Sequence, residues 1–290
     1  MDLSVIIVSF NVRDYLYRCL NSVKSATDKI DCEIFVVDNN SEDGSPEMIR
    51  NEFPDVRLII NEYNRGFSAA NNQAIKLSAG RFVLLLNPDT LVEKDTFTTC
   101  IDFMNNHIDG GALGVRMING EGGFLPESKR AFPTPLTAFF KIFGLSYLFP
   151  KSPLLNNYYL PQITCRQTSF TEVISGAFMF IRREALNKSG PLDEDFFMYG
   201  EDIDLSYRLI QTGYKNYYFS DIQIVHFKGK STSRNSYIDI LQFYKAMRIY
   251  SRKRATEGKY KSIILFILPA VYFREALALL NRYLKLTFSR

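Results

Sequence analysis

The sequence predicts an α/β fold in which a mostly parallel sheet is covered by helices on both faces. Four short apolar runs occur early in the chain, at 3–10, 33–39, 56–62 and 81–87. They are rich in Val, Ile and Leu without strict polar alternation, which is typical of strands buried on both faces. Helical patterns separate the runs, and this alternation indicates βαβ units and a parallel sheet.

The helical segments between these strands are VRDYLYRCLNSV, SPEMIRNEF with Pro46 near its start, and GFSAANNQAIKLSAG. After Asn87 the pattern becomes less regular. A helix (DTFTTCIDFMNNH), a strand (GALGVRMI) and a glycine-rich hairpin or loop (INGEGGFLPES) come next. Two further strand-like segments follow, VISGAFMFIRR at 173–183 and NYYFSDIQIVHFKG, and a helical tail begins near residue 236.

Composition limits the class of protein. Of the 290 residues 46% are apolar and 23% charged, so the chain can bury a sizeable core. A net charge of +4, from 35 basic and 31 acidic residues, is too small to indicate nucleic-acid binding. The four cysteines lie far apart without a CxxC pair, which favours reduced thiols in the cytosol over a zinc site or disulfides.

The N-terminal segment MDLSVIIVSFNVRDYL is interpreted as a strand rather than a secretory signal, because no basic region precedes its short apolar run. A helix that spans a bilayer needs about 20 apolar residues, and no segment reaches that length. The nearest candidate, SIILFILPAVYF, is short and contains Pro269. We therefore expect the bulk of the protein to be soluble and to lie on one side of a membrane.

Polar side chains follow each of the first four predicted strands. Ligands in doubly wound sheets bind outside the carboxyl ends of the strands. Neither GxGxxG nor GxxxxGK[ST] occurs there, so a dinucleotide site or a P-loop is not supported. Any one of these residues could be an ordinary turn residue, but four consecutive polar strand ends favour a shared site. The residues are Ser9, Asn11, Asp38, Asn40, Asn64, Asn87 and Asp89.

Three residues suggest specific chemistry. The carboxylate of Asp38 could accept a hydrogen bond from the ring N–H of uracil or thymine. Asp89, just past a central strand, could bind Mg²⁺ or Mn²⁺, which bridge phosphates with few protein ligands. His226 follows a strand-like run and could be a second ligand, since imidazole suits these ions tolerably, although a single histidine is usually structural.

The segment FFMYGEDIDLSYRL places Glu201, Asp202 and Asp204 within four residues, and PLDED adds three acids just upstream. Acids in the first turn of a helix interact favourably with the helix dipole, and Asp is a good N-cap. The residues alone therefore leave two interpretations open, a capped helix or a catalytic base.

Seven segments together resemble family 2 glycosyltransferases, most closely the rhamnosyltransferase-like bacterial branch. They are VIIVSFN, VVDNNSEDGS, NRGFSAANN, LLLNPDT, SGAFMFIRREAL, DEDFFMYGEDIDLSYRL and HFKGKS. The resemblance implies a GT-A fold over residues 1–235. Residues 1–90 would form the nucleotide-binding half and residues 91–235 the acceptor half, with an aromatic insertion at 130–165. Residues 236–290 would form a basic and apolar helical tail.

The resemblance also implies roles for individual residues. It points to Asp202 as the catalytic base, with Gly176 and Glu201 as acceptor or positioning residues. It places Asp89 in the DXD motif as a ligand of Mg²⁺ or Mn²⁺. Asn87 replaces the first acid of that motif, which gives His226 more weight as the complementing ligand. The nucleotide-binding set it implies is Ser9, Asn11, Asp38, Asn40, Asn64, Gly66 and Asn87.

These roles describe an inverting, metal-dependent transfer from a UDP- or dTDP-sugar, with dTDP-rhamnose one candidate. A base takes the acceptor proton, and a metal offsets charge on the departing phosphate. A sugar nucleotidyltransferase is an alternative, but it resembles a pattern with a glycine-rich loop after the first strand, where SFNVRDY has no glycine. A non-catalytic nucleotide-sugar-binding component of a polysaccharide assembly complex is the other alternative.

The tail predicts an association with membranes. YKAMRIYSRKRATEGKYK is basic and SIILFILPAVYF follows it, a pattern typical of interfacial anchors on anionic lipid. We therefore expect a peripheral protein on the inner face of the cytoplasmic membrane that extends a polyprenyl-linked glycan for a surface polysaccharide. The alternative is a tail that packs on the domain or forms a dimer interface. The basic residues are Lys245, Arg248, Arg252, Lys253, Arg254, Lys259 and Lys261.

Overall fold

The computed structural model describes residues 1–134, 148–149, 152, 154–229, 237–256 and 264–288. The strands are β1 (Leu3–Ser9), β2 (Cys32–Asp38), β3 (Arg57–Ile60), β4 (Phe82–Leu86), β5 (Thr90–Leu91), β6 (Gly110–Ile118), β7 (Ser169–Phe170), β8 (Phe178–Arg182) and β9 (Lys215–His226). The helices are α1 (Arg13–Thr27), α2 (Ser45–Glu52), α3 (Gly66–Leu77), α4 (Thr96–Asn106), α5 (Arg183–Ser189), α6 (Glu201–Gln211), α7 (Tyr237–Thr256) and α8 (Ile264–Phe288).

The strands of the described residues form one sheet in the order β3-β2-β1-β4-β8-β6-β9-β5. The first four strands in this order run parallel. β8 pairs antiparallel with both β4 and β6, and β6 pairs parallel with β9. The short β5 and β7 pair antiparallel with β9. The predicted α/β fold with a mostly parallel sheet is confirmed, and the carboxyl ends of β1–β4, β6 and β9 lie at one edge.

The core has one apolar layer on each face of the sheet. β1 is buried along its whole length, and its successive side chains point to opposite faces. On one face Val5 and Ile7 join Leu16 of α1, and on the other Ile6 joins Ala70 of α3. Because both faces of the sheet are covered, β1 and β4 contain continuous apolar runs.

The middle of the chain differs in part from the sequence prediction. The strand predicted over 173–183 is shorter, because β8 begins at Phe178 and α5 begins at Arg183. Within the predicted strand, Val173 forms an isolated bridge with Arg130. The segment predicted as a glycine-rich hairpin or loop is a hairpin, with an antiparallel bridge between Ile118 and Phe124. Of the aromatic insertion predicted at 130–165, residues 135–147, 150, 151 and 153 lie outside the described residues.

The tail contains two helices that pack against each other, with an ion pair between Arg248 of α7 and Glu275 of α8. α7 also contacts the domain, because Ala246 is buried next to the loop that precedes α6. Two of its cations pair with domain acids, Lys253 with Asp195 (2.8 Å) and Arg254 with Asp204 (2.9 Å). Part of the basic segment predicted to face lipid therefore holds the helix to the domain. Among the described residues, no helix has the length and apolar character needed to cross a membrane.

Candidate active site at the carboxyl edge of the sheet

Ser9 and Asp38 end neighbouring strands and lie opposite each other in the β1–β2 register. Both are fully buried. The Ser41 N–H donates to Asp38 Oδ1 at 2.8 Å, whereas Asp38 Oδ2 and Ser9 Oγ have no hydrogen-bond partner among the described residues. Buried polar atoms are costly unless they are paired, so these two fit a site for a polar ligand.

The loops that follow β1 and β2 are joined by their own side chains. The Asn11 N–H donates to Ser41 Oγ (2.9 Å), and Asn11 Oδ1 accepts from the Glu42 N–H (2.8 Å). Asn11 and Asn40 have left-handed backbones, with φ of 53° and 70°, which asparagine tolerates better than most residues. Both are exposed, so they lie at the mouth of this region and Ser9 and Asp38 lie at its floor.

A buried amide cluster lies beside Asp38 and was not predicted. Asn39 Oδ1 accepts from Asn61 Nδ2 (2.9 Å), and Asn39 Nδ2 donates to the Gly66 carbonyl (3.1 Å). Asn61 also donates to Gln73 Oε1 at 3.0 Å. The cluster joins the ends of β2 and β3 to α3. Asn39 follows Asp38 in VVDNN, but its local sequence does not distinguish it from the turn residue Asn40.

The first turn of α3 contacts the loop that carries the acidic segment. Asn64 Oδ1 accepts from the Gly66 N–H (2.9 Å), and the Phe67 N–H donates to the Phe197 carbonyl (2.6 Å). Gly66 has a φ of 82°, and a Cβ there would lie 2.7 Å from Cδ2 of Phe197. Asn64 and Gly66 therefore shape this junction, and the absence of a side chain at Gly66 permits the close approach.

Asp89 and His226 meet at the end of the sheet. Asp89 Oδ1 lies 3.3 Å from His226 Nε2, and both side chains are buried. The main chains are joined as well, because the Phe227 N–H donates to the Asp89 carbonyl (2.9 Å). The Asn87 carbonyl accepts from Thr90 Oγ1 (2.7 Å), which fixes the turn after β4.

A carboxylate and an imidazole are ligand types that suit Mg²⁺ and Mn²⁺. His226 Nδ1 is buried without a hydrogen-bond partner among the described residues. In that same part of the chain, no group of three or more His, Cys, Asp or Glu side chains could hold a metal ion. The pair of Asp89 and His226 therefore fits an ion that takes its remaining ligands from a phosphate and from water.

Asp202, the second residue of α6, is held by several donors. Its Oδ2 lies 2.5 Å from Arg130 Nη2 and accepts the Gly176 N–H at 3.3 Å. Its Oδ1 accepts the Ile203 N–H at 2.8 Å. A carboxylate offers about four lone-pair sites, so one remains for a proton donor. Arg130 was not predicted, because it lies 72 positions before Asp202 in SKRAF and no local pattern marks it.

Glu201 differs in its surroundings from its neighbour Asp202. Burial, and then the charge on Asp202, raise the pKa of Glu201 to about 8. Its Oε2 is buried and has no hydrogen-bond partner among the described residues. Glu201 is thus largely protonated near neutral pH and can donate a hydrogen bond, whereas Asp202, paired with Arg130, can accept one.

The Asp89 region and the Asp202 region are linked through one short segment. The Gly176 N–H contacts Asp202, and the next residue, Ala177, accepts the Asn87 N–H at 3.0 Å. Asn87 and Asp89 flank Pro88 in the turn after β4. The candidate metal ligands and the candidate base therefore lie along the same edge of the sheet.

The other acids near Asp202 have structural partners. Asp204 pairs with Arg208 (2.7 Å) and Arg254 (2.9 Å). Asp193 pairs with Lys253, which also lies 2.8 Å from Asp195. These charges fix α6 and its preceding loop against α7.

Comparisons with known proteins identify the family of the chain. The model of glycosyl transferase family 2 matches residues 4–190, which is more than half of the chain. An N-acetylglucosaminyl-diphospho-decaprenol L-rhamnosyltransferase of Mycobacterium tuberculosis is 27% identical over 263 residues, covering 87% of this chain and 84% of that protein.

Two solved structures have a similar fold. S. aureus TarS 1-349 matches with a TM-score of 0.60 and 18% identity over 100% of this chain and 73% of that one. Mannosyltransferase PcManGT from Pyrobaculum calidifontis, solved with GDP-Man and Mn²⁺, matches with a TM-score of 0.58 and 18% identity, covering 98% of this chain and 74% of that one.

Proposed function

Because the chain belongs to glycosyl transferase family 2 and has a GT-A fold, we propose that it is an inverting, metal-dependent glycosyltransferase that extends a polyprenyl-linked glycan. The observation that carries the proposal is the position of three sites along one edge of the sheet. These are the buried polar floor at Ser9 and Asp38, the Asp89–His226 pair, and the Asp202 carboxylate. The donor is a UDP- or dTDP-sugar, and dTDP-rhamnose is the first candidate because the mycobacterial relative is an L-rhamnosyltransferase.

The nucleotide binds at the ends of β1–β4 in the proposed reaction. Asp38 Oδ2 has lone pairs available for the ring N–H of uracil or thymine, and Ser9 Oγ lies at the same floor. Asn11, Asn40, Asn64, Gly66 and Asn87 shape the surrounding loops. Asp89 and His226 would hold Mg²⁺ or Mn²⁺, which supplies positive charge for the diphosphate of the leaving group.

Asp202 acts as the general base. It takes the proton of the acceptor hydroxyl while that oxygen forms a bond to the anomeric carbon and the bond to the nucleoside diphosphate breaks on the opposite face. Inversion of the anomeric centre follows from this single displacement. Glu201, when protonated, donates a hydrogen bond to an acceptor or sugar oxygen, and the Gly176 N–H helps to fix Asp202.

The proposed domain boundaries separate the nucleotide-binding residues from the acceptor-binding residues. Residues 1–90 carry Ser9, Asp38 and Asp89 and form the nucleotide-binding half. Residues 91–235 carry Gly176, Asp202 and His226 and form the acceptor half with the insertion at 130–165. Residues 236–290 form the tail. His226 comes from the acceptor half but pairs with Asp89, so the metal site would join the two halves.

An assay of nucleoside diphosphate release tests the proposed function. The protein is incubated with labelled UDP- and dTDP-sugars and a polyprenyl-diphosphate-linked N-acetylglucosamine, with Mn²⁺ or with EDTA. We expect a metal-dependent release of nucleoside diphosphate that requires the acceptor. NMR of the product should show that the anomeric configuration of the transferred sugar is inverted. A sugar nucleotidyltransferase would instead consume a nucleoside triphosphate and release pyrophosphate. A binding component would bind the nucleotide sugar without turnover.

We also propose that α8 contacts the inner face of the cytoplasmic membrane. Val271 and Glu275 of this helix are buried, and Glu275 pairs with Arg248 of α7. The remaining surface exposes large apolar and aromatic residues next to cationic side chains, which suits an anionic lipid surface. They are Tyr272, Phe273, Leu277, Leu280, Tyr283 and Leu284.

Liposome flotation tests the membrane proposal. Phe273→Ser combined with Leu280→Ser should lower binding to anionic vesicles at least fivefold. High salt should weaken the binding of the unaltered protein, because charges are screened within about 10 Å at 0.1 M. Ile108→Ser, which alters an apolar side chain that is 82% exposed outside the tail, is the matched control. Unchanged flotation of the double variant would contradict the proposal. A loss of dimers on gel filtration would show that α8 is a dimer interface instead.

A further inference from the structure

Arg130 is fixed by its main chain to the segment that leads to Gly176. The Arg130 N–H donates to Thr171 Oγ1 (3.1 Å), and that hydroxyl donates back to the Arg130 carbonyl (3.0 Å). The same carbonyl accepts the Val173 N–H at 2.9 Å. Three residues later, the Gly176 N–H contacts Asp202. The backbone of Arg130 and one donor to Asp202 therefore belong to the same hydrogen-bonded unit.

The side chain of Arg130 joins three parts of the acceptor half. Nη2 lies 2.5 Å from Asp202 Oδ2 and 3.3 Å from the Ile174 carbonyl, and Nη1 lies 3.2 Å from the Tyr158 hydroxyl. The side chain is only 10% exposed. A guanidinium presents its donors in a rigid planar fork, so these contacts fix both its position and its direction.

We propose that Arg130 is a positioning residue for sugar transfer, which directs the Asp202 carboxylate towards the acceptor hydroxyl and ties that direction to the aromatic insertion through Tyr158. The inference rests on the proposed role of Asp202 as base. Arg130 and Gly176 donate to Oδ2 of Asp202, and Ile203 donates to one lone pair of Oδ1. The one lone pair that remains on the carboxylate therefore points in a fixed direction. Without Arg130 the carboxylate can rotate away from the reacting hydroxyl. A misplacement of about 1 Å can cost about 10²-fold in rate.

The neighbouring Lys129 provides a matched control. It is 3% exposed, and its Nζ donates to the carbonyls of Tyr159 (3.0 Å) and Leu160 (2.7 Å). Like Arg130, it is a buried cation that anchors the insertion at residues 158–160. No contact of the described residues joins it to Asp202. If both residues only anchor the insertion, replacing either of them should lower kcat equally. If Arg130 positions the base, only its replacement should lower kcat.

Steady-state kinetics of the full chain separates these roles. Arg130→Met should lower kcat about 10²-fold, with the donor KM changed less than about threefold, because the contact acts on the base rather than on nucleotide binding. Arg130→Lys keeps the charge without the planar fork and should recover part of the loss. Lys129→Met should keep kcat within about threefold of the unaltered protein. Melting temperatures and affinities for the nucleoside diphosphate are measured for each variant.

A double-mutant cycle identifies the group through which Arg130 acts. In an Asp202→Asn background, Arg130→Met should cause less than about threefold further loss, since the base is already gone. A full additional loss there, or an unchanged kcat in an otherwise active enzyme, would overturn the positioning role. If Arg130→Met does not fold, Arg130→Lys decides, because full activity at an unchanged melting temperature would also overturn it. Absence of any transfer by the unaltered protein would instead refute the proposed function on which this inference rests.

Discussion

Replacing Glu201 with glutamine should remove a pH dependence from the stability of the protein. Burial and the charge on Asp202 raise the pKa of Glu201 from 4.5 to about 8. A carboxyl with a raised pKa in the folded state holds its proton more tightly there than in the unfolded chain. Its favourable contribution is therefore complete below pH 4.5 and is lost as the pH rises towards 8. Glutamine has nearly the same shape and does not ionise.

The size of the effect follows from the pKa difference. One pKa unit corresponds to about 1.4 kcal/mol, so the stability of the glutamine variant relative to the unaltered protein should rise by at most about 4 kcal/mol between pH 5 and pH 8. Asp202→Asn removes the neighbouring charge, which is the second cause of the raised pKa of Glu201. The pKa of Glu201 should then be raised less, and stability should change over a narrower range of pH.

Urea unfolding at several pH values and constant ionic strength measures this difference. The quantity of interest is its slope with pH, since any change in hydrogen bonding by glutamine adds a constant offset. Glu184→Gln is the matched control, because Glu184 is exposed and pairs with Lys188, and the slope should change little. Equal differences at pH 5 and pH 8 for Glu201→Gln would mean that the carboxyl ionises as readily in the folded protein as in the unfolded chain. The burial argument would then be wrong.

Three further predictions concern the site and its framework. Asp202→Asn should lower kcat by 10²- to 10⁴-fold and leave the affinity for the nucleoside diphosphate nearly unchanged in calorimetry, and retention of more than about a tenth of kcat would contradict a general base. Asp89→Ala and His226→Ala should each raise the Mn²⁺ concentration for half-maximal activity at least tenfold, and full activity in excess EDTA would remove the metal from the mechanism. Gly66→Ala should destabilise the protein in urea unfolding by more than Gly122→Ala, because both have positive φ but only Gly66 faces Phe197, whereas Gly122 has open space around it. Equal losses would show that backbone strain alone sets the cost.

Much of the fold and part of the site could be predicted from local sequence. Continuous apolar runs marked the four parallel strands, of which β3, at the edge of the sheet, is exposed or half-buried rather than buried. Polar residues at the strand ends marked one edge of the sheet. Asp89 and His226 were proposed as a pair, and they lie 3.3 Å apart although 137 positions separate them. The two-residue strands β5 and β7 are too short to produce a periodic pattern. The predicted strand ran to Arg183, which is the first residue of α5, and the rest of this short helix was not predicted.

The contacts that fix Asp202 could not be predicted, because they depend on tertiary structure. Arg130 lies in a segment rich in Phe, Leu, Tyr and Pro, and only the fold brings it to α6. Gly176 contributes a main-chain N–H, which every residue except proline carries, so its identity gives no sign of the contact. The Asn39 cluster likewise depends on partners that follow β3 and begin α3.

Two features of the sequence that had separate interpretations are partners in the structure. Asp204 and the acids of PLDED were interpreted as capping or loop charges, and the cations of the tail as contacts to anionic lipid. Lys253 and Arg254 of α7 instead pair with Asp195 and Asp204, and Arg254 also lies 3.4 Å over the ring of Tyr207. These contacts hold α7 against α6, the helix whose second residue is Asp202. If α8 contacts the membrane, α7 therefore connects that contact to α6, beside the candidate base. Such an arrangement suits an acceptor whose lipid stays in the bilayer while its sugar reaches the site.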